Sequence, residues 1–83
     1  MANYIESKLY NVVIGIKIRK LRTERKWTQE ELAFRAGMDV TYISDLENGK
    51  RNPTNITMKA VAEALEIEYN EIYPTPEEIK EYN

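Results

Sequence analysis

Apolar side chains recur at helical spacing along the first third of the chain. Tyr10, Ile14 and Ile18 follow one another every four residues, with Leu21 three positions further on and charged residues between them. The many β-branched residues in the first turns would also suit a strand. The repeated spacing of four favours a helix, and we expect this helix to end near Lys26.

Two short helices with the same kind of start signal follow. Thr28 is a natural N-cap, and Glu31 three residues later completes the sequence pattern of a capping box. Gly37 suits the left-handed position that ends a helix, and Asp39 then caps the next one. The turn of about three residues between them predicts a helix-turn-helix at about residues 28–48.

The remainder of the chain continues the helical pattern. The apolar positions of a fourth helix are Met58, Val61, Ala62 and Leu65. A short fifth helix is expected at 68–73, followed by a C-terminal tail or short helix at 74–83. Phe34 lies off the apolar face of the second helix, so it either packs beneath the fourth helix or forms a partly exposed contact, and we expect packing. The pattern therefore predicts an all-α fold, a compact bundle of about five short helices, as a single domain over 1–83 with its core at 9–73.

The composition disfavours catalysis and metal binding. The 83 residues include no Cys and no His, so the commonest general base and the usual soft metal ligands are missing. We therefore expect no enzyme activity, no metal and no cofactor, and a chain this short leaves no second domain for a small-molecule ligand. The longest apolar run, 12–16, is far too short for a membrane span, and the N-terminus lacks a signal peptide pattern. We expect a soluble, cytoplasmic protein without a membrane partner.

The net charge of −2 hides a division between two parts of the chain. Residues 1–52 contain ten Lys or Arg against seven Asp or Glu, whereas residues 53–83 contain two against seven. Surfaces that bind nucleic acid are usually basic. Any such surface is therefore expected in the first part, with the acidic tail pointing away from it.

The third helix has a polar face that can contact bases. At 100° per residue its outward positions are Val40, Thr41, Ser44, Asp45 and Asn48. A carboxylate at Asp45 can accept a hydrogen bond from cytosine N4, and Val40 can pack on a thymine methyl group. The simpler alternative is that these residues form the solvated face of a small helix.

The three acidic residues near this helix have different expected roles. Asp39 is a cap, and only Asp45 lies on the outer face, where phosphates would repel it. Glu47 points toward the core flank, so it needs a positively charged partner if it is buried. The candidate partners are the arginines of the first helix.

Residues 28–53, TQEELAFRAGMDVTYISDLENGKRNP, resemble the Xre/Cro-like helix-turn-helix family of bacterial and phage repressors. The resemblance extends over roughly 13–73. Within the family, TQEELAFR, TYIS and GKRNP are most similar to the controller proteins of restriction–modification systems, which are small homodimers that regulate their own operon and the endonuclease gene. The chain departs from that group at Val40, where controllers often carry Arg, and at Asp45, where they often carry a small residue.

The resemblance implies a role for each matching residue. Base contacts are implied for Val40, Thr41, Ser44 and Asp45. Contacts to the DNA backbone are implied for Thr28, Gln29, Tyr42, Asn48, Lys50 and Arg51. A structural salt bridge between Arg22 and Glu47 is implied as well.

An apolar cluster near the fifth helix suggests self-association. Its members are Leu65, Ile67, Tyr69, Ile72 and Tyr73. They can form either the monomer core or a two-fold dimer interface, and the resemblance favours the interface.

The function implied is that of a transcriptional regulator. It would bind an inverted-repeat operator in double-stranded DNA as a homodimer and control a restriction–modification operon that includes its own gene. Alternatives are a stand-alone Xre-type repressor, an antitoxin, or a protein-interaction module that uses its acidic third helix and tail against a basic partner.

Overall fold

The computed structural model describes the backbone of residues 4–82 and the side chains of residues 8–82. Its elements are α1 (Tyr4–Glu24), α2 (Gln29–Ala36), α3 (Val40–Glu47), α4 (Asn55–Leu65), a 3₁₀ turn (Tyr69–Ile72) and α5 (Pro76–Lys80). The all-α prediction is confirmed, and α2 and α3 form the predicted helix-turn-helix around Gly37, which adopts the left-handed conformation with φ of 67°. Among these helices none is long and apolar enough to span a membrane.

One apolar core joins the helices. Its largest fully buried side chains are Val13, Ile18, Leu32, Ile43, Leu46, Met58, Val61, Leu65 and Ile72. They come from α1 to α4 and from the 3₁₀ turn. Full burial of each such side chain contributes roughly 1.5–3 kcal/mol, so a small domain depends on nearly all of them.

Several helix ends differ from the sequence prediction. Helix α1 stops at Glu24 because Lys26 takes a left-handed conformation with φ of 60°. The capping box at Thr28 is only half formed. The Thr28 side chain accepts the Glu31 backbone N–H at 3.1 Å, but the Glu31 carboxylate accepts Arg35 Nε at 2.8 Å instead of returning to the cap. The expected fifth helix is a single 3₁₀ turn.

The acidic C-terminal segment is fastened to α1 by Lys17. Its Nζ donates to the Tyr73 carbonyl oxygen at 3.1 Å and to Glu78 Oε1 at 3.0 Å. Thr75 and Glu78 form a complete capping box at the start of α5. The hydrogen bond from the Thr75 backbone N–H lowers the pKa of the Glu78 carboxyl, and the hydrogen bond from Lys17 lowers it further. The ion pair is therefore kept to a lower pH than it would be with an unperturbed carboxyl group.

Two predictions about exposure require correction. Leu65 and Ile72 were expected in a dimer interface. Both are 0% exposed within the monomer, so neither can contribute to its surface. The reason is that the 3₁₀ turn folds back onto α4 and covers both side chains. Phe34 is 85% exposed, because α2 buries Leu32 and Ala33 and leaves Phe34 on its other side.

Helix α1 crosses the end of α3 at Gly15, without space for a side chain. A methyl carbon added at Gly15 would lie 2.6 Å from the Glu47 carbonyl oxygen and would also overlap that of Leu46. Both neighbours are backbone atoms, so neither can rotate aside. This contact sets the distance between α1 and α3.

We predict that Gly15→Ala destabilises the domain by about 1–3 kcal/mol, since the helices must separate to accommodate the methyl group. The melting temperature should fall by roughly 4–8 °C per kcal/mol in a domain of this size. Lys20→Ala, an exposed change on the same helix, is the control and should alter stability by less than about 0.5 kcal/mol. A Gly15→Ala variant as stable as the parent would contradict this account of the crossing.

Candidate nucleic-acid interface

A buried ion pair fixes α3 to α1. Arg22 Nε and Nη2 donate to the Glu47 carboxylate at 2.6 and 2.9 Å, and the two residues are 9% and 7% exposed. The hydrogen bond to Glu47 raises the pKa of the Arg22 guanidinium, although burial opposes the shift. The arginine partner expected for Glu47 is therefore Arg22, as the resemblance implied.

The same ion pair also positions the start of α2. Gln29 Nε2 donates to Glu47 Oε1 at 3.1 Å, and Arg22 Nη1 donates to the Trp27 carbonyl oxygen at 2.7 Å. Thr28 is exposed at the N-cap, next to first-turn N–H groups that lack intrahelical partners. Such a helix start can bind a phosphate. One amide hydrogen of Gln29 is already engaged, so its backbone N–H is the better-placed donor.

The outward positions of α3 lie where the helical wheel predicts. Val40 is 37% exposed, Thr41 is exposed, and Ser44 is half-buried. Ile43 and Leu46 on the opposite side are 0% and 1% exposed. The helix therefore presents short side chains to solvent on a rigid support.

Asp45 is paired with Arg51. Arg51 Nε and Nη2 both lie 3.2 Å from Asp45 Oδ2, and the guanidinium carbon lies 4.8 Å from the centre of the Tyr42 ring. The negative charge of Asp45 on α3 is thus compensated by Arg51, which the sequence analysis had assigned separately to phosphate contact. Asp45 and Arg51 are six residues apart, which is not a spacing that brings side chains together on a helix. The pair forms because the turn at Gly49 brings Arg51 back beside α3.

The loop after α3 forms a basic groove with the first half of α1. The groove is lined by Lys8, Asn11, Val12, Asn48, Gly49, Lys50, Arg51 and Asn52. Gly49 has φ of 71°, and an added Cβ would lie 2.8 Å from Val12 Cγ2, so the turn rests directly on α1. The lining contains three cationic side chains and no acidic one, which suits a phosphate backbone.

Sequence reasoning missed Lys8 and Asn11 as members of this groove. They belong to α1, far from the helix-turn-helix in sequence, and only the contact at Gly49 brings them to Lys50 and Arg51. The Asn48 side chain, expected to face phosphate, donates to the Ser44 carbonyl oxygen at 2.9 Å and so completes the end of α3. Within the described side chains no group of acidic residues is arranged to hold a metal ion.

The helix-turn-helix family profile HTH_3 matches residues 18–72, which include every element from the end of α1 to the 3₁₀ turn. The chain belongs to the helix-turn-helix family. This Xre-like family consists of regulators rather than enzymes, and the protein is a DNA-binding helix-turn-helix transcriptional regulator related to restriction–modification control proteins.

This helix-turn-helix protein is similar in sequence to known regulators and in structure to a controller protein. It is 42% identical over 66 residues to an uncharacterised HTH-type transcriptional regulator, y4dJ, of Sinorhizobium fredii, covering 78% of this chain and 86% of the relative. It is 39% identical over 70 residues to the immunity repressor of Bacillus phage phi105, covering 84% of this chain but only 49% of that repressor. The crystal structure of the restriction–modification controller protein C.AhdI from Aeromonas hydrophila superposes with a TM-score of 0.73 at 39% identity, covering 75% of this chain and 94% of the controller.

We predict that Glu47→Ala costs about 3–5 kcal/mol of unfolding free energy, because it leaves Arg22 buried without its partner. The double variant Arg22→Met/Glu47→Leu should recover most of that loss, since apolar side chains of similar size often replace a buried pair without penalty. Urea denaturation of the parent, the single variant and the double variant measures both effects. Equal stability of the single variant and the parent would show that the pair does not hold the helices together.

Proposed function

We propose that this regulator binds an inverted-repeat operator as a homodimer and controls a restriction–modification operon that includes its own gene. The observation that carries the proposal is the position of Arg51, which lines the basic groove and also contacts Asp45 on the outer face of α3. A surface for bases and a surface for phosphates are therefore continuous. The likeness to C.AhdI over 94% of that controller supports the assignment to this group.

The proposed base contacts are Val40, Thr41, Ser44 and Asp45. The proposed backbone contacts are Thr28, Gln29, Tyr42, Asn48, Lys50 and Arg51, together with Lys8 and Asn11 of the groove. Phosphate contacts fix the register of a protein on the duplex, whereas base contacts determine the sequence. Variants of the base contacts should therefore change sequence preference, whereas variants of the backbone contacts should change affinity for all sequences.

The proposed dimer surface is centred on Tyr69, which is 39% exposed, beside half-buried Ile67 and Tyr73. The two tyrosine rings meet edge to face at 5.4 Å, their hydroxyl oxygens lie 2.8 Å apart, and Tyr73 donates to Asn55 at 2.9 Å. Burial is the main reason that the pKa of Tyr73 is raised to about 12. Such an ordered aromatic surface suits association, and two copies would place their α3 helices about 34 Å apart on DNA.

A stand-alone repressor is the second candidate, favoured by the 39% identity to the phage immunity repressor. The protein-interaction alternative required an acidic third helix. It is weakened because Asp45 is paired with Arg51 and Glu47 with Arg22.

The test is selection of bound duplexes from a random DNA library at about 0.15 M salt, near physiological ionic strength. We expect enrichment of an inverted repeat with half-sites about one helical turn apart. If the folded protein enriches no sequence, it does not act as a sequence-specific regulator. An enriched single half-site would retain DNA recognition but contradict the dimer.

We predict that Thr41→Ala and Lys50→Ala differ on the selected operator. Thr41→Ala should cost about 1–3 kcal/mol, with the loss confined to one base pair of each half-site. Lys50→Ala should weaken all sequences alike and reduce the slope of log K against log salt by about one. Affinities for the operator and for a scrambled duplex at several salt concentrations provide the measurement. A uniform effect of both variants would contradict the assignment of Thr41 to bases.

We predict that Tyr69→Glu converts the dimer to a monomer at micromolar concentration, because it places like charges against each other across a two-fold interface. Phe34→Glu is the matched control: it also introduces Glu at an exposed aromatic position, but on α2, and should leave the dimer intact. Sedimentation equilibrium distinguishes the two. A monomeric parent at concentrations that saturate the operator, or a dimeric Tyr69→Glu variant, would rule out this interface.

A further inference from the structure

We propose that Asp45 is a positioning residue that orients Arg51 to recognise guanine in the major groove. The inference rests on the proposed function, and it changes the role of two residues. Arg51 becomes a base reader rather than a phosphate contact, and Asp45 acts through Arg51 rather than by accepting a hydrogen bond from cytosine.

The hydrogen-bond geometry leaves the correct edge of the guanidinium free. Nε and Nη2 of Arg51 both approach the single oxygen Oδ2 of Asp45, at 3.2 Å each. A guanidinium carries five N–H donors in a fixed plane, so the edge formed by Nη1 and the second hydrogen of Nη2 remains open. That edge matches the O6 and N7 acceptors of guanine, which arginine commonly binds in a bidentate manner.

The position of Arg51 is also restrained from its face. Its guanidinium lies 4.8 Å from the Tyr42 ring centre, within the range of a cation–π contact. Tyr42 and Asp45 are three residues apart on α3, so the guanidinium lies along the flank of the recognition helix. Because two partners hold it before binding, less side-chain freedom is lost when it meets a base.

The neighbouring residue Lys50 is not held in place as Arg51 is. Lys50 is exposed and forms no salt bridge within the described residues, whereas the Arg51 side chain is held with 47% of its surface still accessible. A mobile ammonium suits a phosphate, which needs only a nearby charge. A fixed guanidinium with an accessible edge suits a base, which requires defined geometry.

The contact with Arg51 also compensates the negative charge of Asp45. The Asp45 side chain is 27% exposed, less than that of Arg51, so an approaching duplex meets the guanidinium more readily than the carboxylate. An unpaired carboxylate there would be repelled by phosphates. The pair therefore allows an acidic residue on the recognition helix and uses it to direct a donor edge outward.

The experiment repeats the library selection with Arg51→Lys, Arg51→Ala and Asp45→Asn, and uses Lys50→Ala as the control. The parent should prefer guanine at one position of each half-site. Arg51→Lys keeps the charge, so its salt slope should equal that of the parent. Its preference for guanine should fall by up to about 150-fold, because lysine lacks the planar fork that Asp45 and Tyr42 hold in place. Arg51→Ala should lose the same preference, and Lys50→Ala should keep it.

The Asp45→Asn variant distinguishes a residue that positions Arg51 from one that only stabilises the fold. Removing the carboxylate releases Arg51 and removes a repulsive charge, so we expect weaker guanine preference at the same position but tighter binding to random DNA. A residue that only supports the fold would weaken both. In the Arg51→Ala background, Asp45→Asn should have no further effect on that position.

Three outcomes would overturn the inference. The first is an Arg51→Lys variant that keeps the guanine preference of the parent. The second is an Asp45→Asn variant that changes the preference at a cytosine even when Arg51 is absent. The third is an Arg51→Ala variant that, like Lys50→Ala, weakens binding to all sequences equally. In each of these cases the parent still enriches an operator, so the proposed function stands. Failure of the parent to enrich any sequence would instead refute both.

Discussion

The buried contact between Arg22 and Glu47 connects the three helices that carry the proposed DNA interface. It joins α1 to the end of α3, and through Gln29 it also fixes the start of α2. A buried charge needs both an opposite charge and satisfied hydrogen bonds, and this network supplies them with residues from all three helices. Gly15 permits the required approach, because no side chain separates α1 from the last turn of α3. In the proposed complex, the angle at which α3 meets a duplex therefore depends on this contact.

Charge pairing reconciles the net charge of −2 with the proposed surface for DNA. Glu47 is neutralised in the interior, Asp45 by Arg51 on the outer face, and Glu78 by Lys17 at the tail. The groove beside α3 has no acidic side chain in its lining, although it lies within a chain that has more acids than bases. The distribution of charge, rather than the total, determines where a phosphate backbone can lie.

Sequence reasoning located the helices and the turn because local signals specify them. Caps at Thr28 and Asp39 and the left-handed Gly37 are properties of short segments. The wheel also placed Thr41 outward and Glu47 inward. A helical wheel cannot predict contacts between different segments of the chain. The Asp45–Arg51 pair, the approach of Lys8 to the loop after α3, and the burial of Leu65 and Ile72 all arise where the chain folds back on itself.

The central claim is that the outer face of α3 lies in the major groove of an inverted repeat. Dimethyl sulfate footprinting on a selected operator tests this directly, because the reagent methylates guanine N7 in the major groove and adenine N3 in the minor groove. The account predicts protection of guanine N7 in two clusters about one helical turn apart, with adenine N3 unprotected. Protection of adenine N3 alone, or no protection at saturating protein, would contradict it.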